Sequence, residues 1–215
     1  SLTIDHAVDV HAEGNVALDA LNGTLVAVAT GTTGPDQPGF SLDIGQVSTA
    51  APSNGVSFTD ADAVSLTLAG VEVFVGVGGN LTGTSGLDYA VAPGTLGFSG
   101  SLASMSVVVI KNTKGNNTGL TPVLTDDVNY LGVSASGLEA DLIGFGALLE
   151  FHAWDVNVKL NKASDALGAP SAKLDWDSLS TSGLPLASLT IDHPVDVHVE
   201  GNLALDALNR TLVAL

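Results

Sequence analysis

Alternation of apolar and polar residues is the dominant pattern along the chain. Near its start, Leu2, Ile4, Val8 and Val10 fall on one side and Thr3, Asp5, Asp9, His11 and Glu13 on the other, the two-residue period of a half-buried strand. Gly14 and Asn15 interrupt it, Val16 and Leu18 resume it, and Asn22-Gly23 offers a two-residue hairpin turn before Leu25–Val28. After a loop rich in Gly and Pro, Phe40, Leu42 and Ile44 form a short alternating strand. In the most regular stretch Val64, Leu66 and Leu68 point one way. Val71, Val73, Val75 and Val77 continue after a phase shift of one, so a bulge or a corner between sheets is expected at Gly70. Residues 96–110 predict two strands about Gly100. Phe145, Ala147, Leu149 and Phe151 share one face, then the parity changes to Trp154, Val156, Val158 and Leu160, which asks for a second bulge near Ala153 and makes Trp154 a core residue. Residues 111–119, 161–170 and 174–186 read as loops and connections. Apolar residues nowhere recur at helical spacing for three turns, so the chain is expected to be all-β.

Residues 1–28, SLTIDHAVDVHAEGNVALDALNGTLVAV, return as residues 188–215, SLTIDHPVDVHVEGNLALDALNRTLVAL, with five differences and no gap. Residues 1–187 are therefore read as one full repeat period, and 188–215 as the start of the next copy. A period of 187 residues far exceeds one coil of a β-solenoid, about 20–30 residues. The expected fold is an elongated all-β repeat module, a β-solenoid-like tube or an extended β-sandwich or barrel, whose terminal strands continue into neighbouring repeats. An isolated copy would leave those strands as open edges.

Charge narrows the partners. Asp and Glu outnumber Lys and Arg by 23 to 6, a net charge of −17 that repels nucleic acid and anionic membranes. No cysteine is present, which removes disulfides and thiol chemistry, and no apolar run approaches the roughly 18 residues of a membrane span. The motif Asp-His-x-x-Asp-x-His-x-Glu occurs twice. In the first copy Asp9, His11 and Glu13 share a strand face at two-residue steps and could ligate a divalent cation; the plainer reading is a solvated polar face. His6 and His193 run with the apolar parity and suit a sheet margin. The pairs Asp60/Asp62 and Asp175/Asp177 sit beside loops where Ca²⁺ could bridge them, although turns and caps use the same residues. Asn22, Asn80, Asn116 and Asn209 fit the glycosylation acceptor pattern, Asn116 within a polar loop. No nucleophile elbow, zinc helix or phosphate loop occurs, so no catalytic residue is assigned. Trp154 and Trp176 are the residues able to stack on sugar.

The stretches SLTIDHAVDVHAEGNVALDALNGTLVAVA, VSLTLAGVEVFVGVGGNLTG and YLGVSASGLEADLIGFGALLEFHAWDVNVKLNKA resemble the Gly/Val/Leu/Ser-rich β-repeats of giant secreted surface proteins and adhesins of aquatic bacteria or archaea. The resemblance implies an extracellular or cell-surface filament or stalk, without enzymatic activity and without a required cofactor, whose partners are copies of itself. A Ca²⁺-dependent adhesin or carbohydrate-binding module is the alternative, and a polysaccharide-processing β enzyme the third reading.

Overall fold

A computed structural model describes residues 8–20, 26–31, 38–83, 89–113, 123–146, 148–207 and 213–214. Among these residues there are strands and no helix. The repeated segment supplies β1 (Val8–Gly14), β2 (Ala17–Ala20) and β3 (Val26–Ala29) in its first copy. The body of the sheet is β4 (Phe40–Thr49), β5 (Ala61–Val77), β8 (Leu96–Asn112), β9 (Val128–Ile143) and β10 (Leu149–Asp165). The second copy adds β12 (Val197–Ala207) and β13 (Val213–Ala214). Three short strands complete the set: β6 (Asn80–Thr82), β7 (Ala90–Ala92) and β11 (Thr181–Gly183).

Eleven strands form one sheet along the path β1-β4-β5-β8-β9-β10-β12-β13, with β3 joining β5, β2 joining β3 and β11 joining β4; β6 and β7 make a separate ribbon. All the ladders are antiparallel, and β1 and β13 end the path without meeting. The sheet is therefore open, which corrects the expectation of a solenoid tube or closed barrel. A solenoid stacks successive coils in parallel, whereas here successive long strands turn back on each other as hairpins do.

The long strands hold register over great length. β5 and β8 stay paired from Asp62↔Lys111 to Val77↔Leu96 without a slip. Within that span Gly70 takes φ +55° and, with Ala103 opposite, drops out of the ladder. The buried positions change parity there, from Ala61, Ala63 and Ser65 to Phe74. Gly137 (φ +61°) and Asp155 (φ +53°) continue this line across β9 and β10. A Cβ on Gly137 would lie 2.8 Å from that of Ala103, so glycine is required by contact as well as by φ. The bulge expected at Gly70 is thus part of a crease crossing four strands, and the parity change of β10 falls at Asp155, two residues past Ala153. Gly100 breaks nothing: β8 is one 17-residue strand. β10 likewise runs on to Asp165, through half of what reads as a loop.

One half of the sheet carries the core, on the face with the small residues. Ala61, Ala63, Val108, Ile110, Tyr130 and Ala163 are covered by Phe58 and by Leu174, Trp176, Leu184, Leu189 and Ile191 from the segment after β10. That segment is mostly irregular backbone, and its apolar side chains supply the cover. The tryptophans exchange their expected roles. Trp176 is 5% exposed, with its indole donating to Asn161 Oδ1 at 3.0 Å, while Trp154 is 40% exposed. In the second copy the strand begins at Val197, not at Ser188, and Leu189 and Ile191 enter the core from irregular backbone.

Candidate functional site

The twice-written strand holds the most informative geometry. In the first copy β1 and β2 make one line, interrupted at Asn15 and Val16, where Asn15 Oδ1 accepts from Gly39 N (2.7 Å) and Thr30 N donates to Val16 O (2.9 Å). On one side this line meets β4 and then β3, and both of these pair with β5 beyond. In the second copy the same residues run unbroken as β12, which pairs with β10 on one side and with β13 on the other. The β12–β13 pairs, Asp206↔Ala214 and Ala207↔Val213, are the β2–β3 pairs Asp19↔Ala27 and Ala20↔Val26 displaced by one period. The hairpin marks the β4 side of the strand, so β10 sits on the opposite side. One sequence uses one hydrogen-bonding edge at the start of the sheet and the other edge at its end. Among the described residues, Val197–Leu205 have no ladder partner away from β10, and β1 has none away from β4. The hairpin expected about Asn22-Gly23 is formed by β2 and β3; its turn lies outside the described residues.

Ladder partners across the sheet give the register of one copy against the other. From Ala12 the row runs through Leu42, Leu66, Val107, Val133 and Leu160 to Val197, the counterpart of Val10. The row starting at Gly14 ends at Val199, the counterpart of Ala12. Each crossing therefore moves two residues along the repeated strand. An even step keeps side chains on the same face, since parity alternates with every residue. The six antiparallel steps return the strand to its starting direction. Val8 and its counterpart Val195 both pack against the core cluster.

Among the polar candidates on this strand, His11 is held by a cross-strand contact. His11 Nδ1 is 2.5 Å from Asp43 Oδ1, and its Nε2 is 3.7 Å from Glu13 Oε2. The Asp43 hydrogen bond raises the imidazole above its ordinary 6.5, with desolvation opposing and the charges of Asp43 and Glu13 adding to it. A raised folded pKa means the contact favours the folded state fully below the unfolded value and is lost as pH rises through the folded one. Protection factors of β1 amides should fall as pH rises through the His11 titration followed by NMR, and Asp43→Asn should return that titration toward 6.5 and flatten the profile. In the second copy His198 lies 3.4 Å from Glu200 and opposite Lys159 on β10.

The other predicted ligands are dispersed. Asp9 is exposed beside a register shift, Asp60 binds Ser48 at the turn into β5, and Asp62 sits exposed between Gln46 and Lys111. Asp175 has a buried Oδ1 without a partner and backbone bonds to Ser53, while Asp177 is exposed. Among the described residues no three His, Cys, Asp or Glu side chains converge as metal ligands. Asn80 is exposed in β6; Asn22, Asn116, Asn209 and His6 fall outside the described residues. His193 is exposed in the turn before β12.

Pairing also builds a cleft that no local motif announces. Glu72, Ser101 and Glu139 form one cross-strand row and Ser99 and Asp141 part of another that continues to His152; the first five line a cavity of about 260 Å³. A second hollow of about 460 Å³ adjoins it, lined by His152 and the exposed Trp154. His152 Nδ1 is 2.6 Å from Asp141 Oδ1, and Glu72 Oε2 accepts from Val91 N at 2.8 Å. Its residues come from four strands, β5, β8, β9 and β10, so only the ladder register brings them together. No protein-family model, curated protein or solved structure matches this chain.

Proposed function

We propose that this chain is a structural repeat unit of an extended extracellular assembly, in which the twice-written strand is the joint between successive units. The observation that carries the reading is that the two copies take opposite edges of one sheet, with an even register step between them. In such a joint β12 would keep β10 on one side and receive the next unit's β4 on the other. His198 would then lie between Lys159 and the next unit's Asp43, a charge-complementary row. The joint also removes the exposed edges that an isolated sheet presents to chance partners. A charge of −17 keeps copies soluble, and no helix of the described residues is long and apolar enough to cross a membrane.

A chain carrying a second full period, with residues 29–215 appended again, tests this. Six strand spacings of about 4.8 Å predict growth of roughly 29 Å along the sheet per period. Small-angle scattering should show that increment with unchanged strand content. Two independent bodies on a flexible connection would overturn the reading.

The carbohydrate-binding alternative has one observation in its favour, the exposed Trp154 beside Glu139 and Asp141. Aromatic faces beside polar groups suit sugar rings. Quenching of tryptophan fluorescence by soluble polysaccharides, abolished in Trp154→Ala, would support it; no quenching at saturating polysaccharide would remove it.

A further inference from the structure

Ladder partners share a face, so the rows sort the side chains of the sheet into two sets. Asp43, Glu72, Glu139 and Asp141 are in rows of the core-bearing face, where they are either packed or solvated in the cleft. The opposite face is aliphatic. Val64 and Val109 are partners near one end of it, 36% and 38% exposed; Val75 and Phe98 are partners past the crease, 45% and 40% exposed. Val197 and Val199 continue the face onto β12 at 60% each. Its charged members among the described ladder residues, Asp62, Lys111 and Lys162, stand together at one end.

This face spans about 29 Å across six strand spacings and about 43 Å from Val64 to Val77 at 3.3 Å per residue, roughly 1,200 Å². A single exposed apolar patch of that size exceeds what monomers ordinarily carry, about 300–600 Å². It also exceeds the ~800 Å² per partner of a stable protein interface. β-branched side chains on a twisted sheet pack face to face at about 10 Å. The acids would lie on the outer surfaces of such a pair, where salt screens them beyond a Debye length of about 8–10 Å.

We propose that the aliphatic face is a docking surface for a second copy of this chain, sheet against sheet, giving a two-layer unit with its acids outside. This uses the faces of the sheet and is independent of the edge joint. Sedimentation velocity on the 215-residue chain over a concentration series is the test. Twice the chain mass is expected at micromolar concentration, increasing with salt as charge repulsion is screened. Val109→Lys and, separately, Phe98→Lys should weaken the pair at least about 10-fold while the far-ultraviolet spectrum stays that of a sheet. Excess peptide of residues 8–20, which competes for a strand edge alone, should leave the pair intact. A wild-type chain that stays monomeric at about 100 µM overturns the proposal whatever the variants do. So does a pair dissolved by the peptide, or monomer binding to phosphatidylcholine vesicles in place of self-association.

Discussion

Trimmed to residues 26–207, the chain should polymerise head to tail. That segment retains one copy of the repeated strand, β12, and loses β1, β2 and β13, which occupy the matching edges in the longer chain. The free side of β12 then faces the exposed edge of β4 and β3 on another molecule. The first copy dictates the register: Val197 opposite Ile44, Val199 opposite Leu42, Gly201 opposite Phe40, then Ala204 opposite Ala29 and Ala207 opposite Val26. Nine such cross-strand pairs at about 0.2–1 kcal/mol each amount to roughly 2–9 kcal/mol, and assembly at high micromolar concentration needs about 5–6 kcal/mol, within that range. Because donor and acceptor edges differ, the contact is heterologous, and each molecule added presents a fresh edge for the next. Light scattering should show a mass that climbs with concentration without a plateau, and a peptide of residues 1–20 should cap the acceptor edge and shorten the chains. A trimmed chain that folds, shows sheet spectra and stops at a pair would refute edge joining while leaving face pairing untouched.

Trp176→Ala should be among the most damaging single substitutions. The side chain is 5% exposed and lies over Gly132, where an added Cβ would approach Trp176 Cε2 to 2.7 Å. Its indole donates to Asn161 Oδ1, and the Asn161 amide donates to Leu174 O at 2.8 Å. Truncation opens a cavity, about 3–5 kcal/mol for a buried Trp. It also strips the fully buried Asn161 of a partner, adding roughly 1–3 kcal/mol. Trp176→Phe retains much of the volume and loses the bond, so its cost should fall near the lower of those figures. Trp154→Ala is the control: at 40% exposure the same deletion should cost far less. Urea midpoints for the three variants decide the matter, and equal losses at positions 154 and 176 would show that the segment after β10 is not the cover of the core.

Pattern alone locates β5 because alternation is enforced wherever a sheet has two unlike faces. Val64 to Val77 shows this well: the phase shift at Gly70 is visible as a break in parity, and the left-handed φ there is its structural counterpart. The same reading misassigned the tryptophans. Trp154 keeps the strand parity and reads as core, yet it lies at the margin of a solvated cleft, while Trp176, in a stretch that reads as a connection, is core. Leu189 and Ile191 repeat the strand-like alternation of Leu2 and Ile4, yet they bury from irregular backbone, so period alone does not mark the covering segment. Contacts such as His11 with Asp43, or Glu72 with Glu139 through Ser101, join distant residues whose adjacency depends on strand order.

By itself the sequence determined the all-β class, the return of residues 1–28 at 188–215 and the phase break at Gly70, since each is written in the order of residues along the chain. Only the tertiary structure decided which face is covered, which edge each copy of the strand occupies, and the two-residue step between copies. The reason is that a strand's backbone offers the same donors and acceptors on both edges whatever its side chains are. Partner choice and register are thus settled by how all the strands and their covering segment pack together.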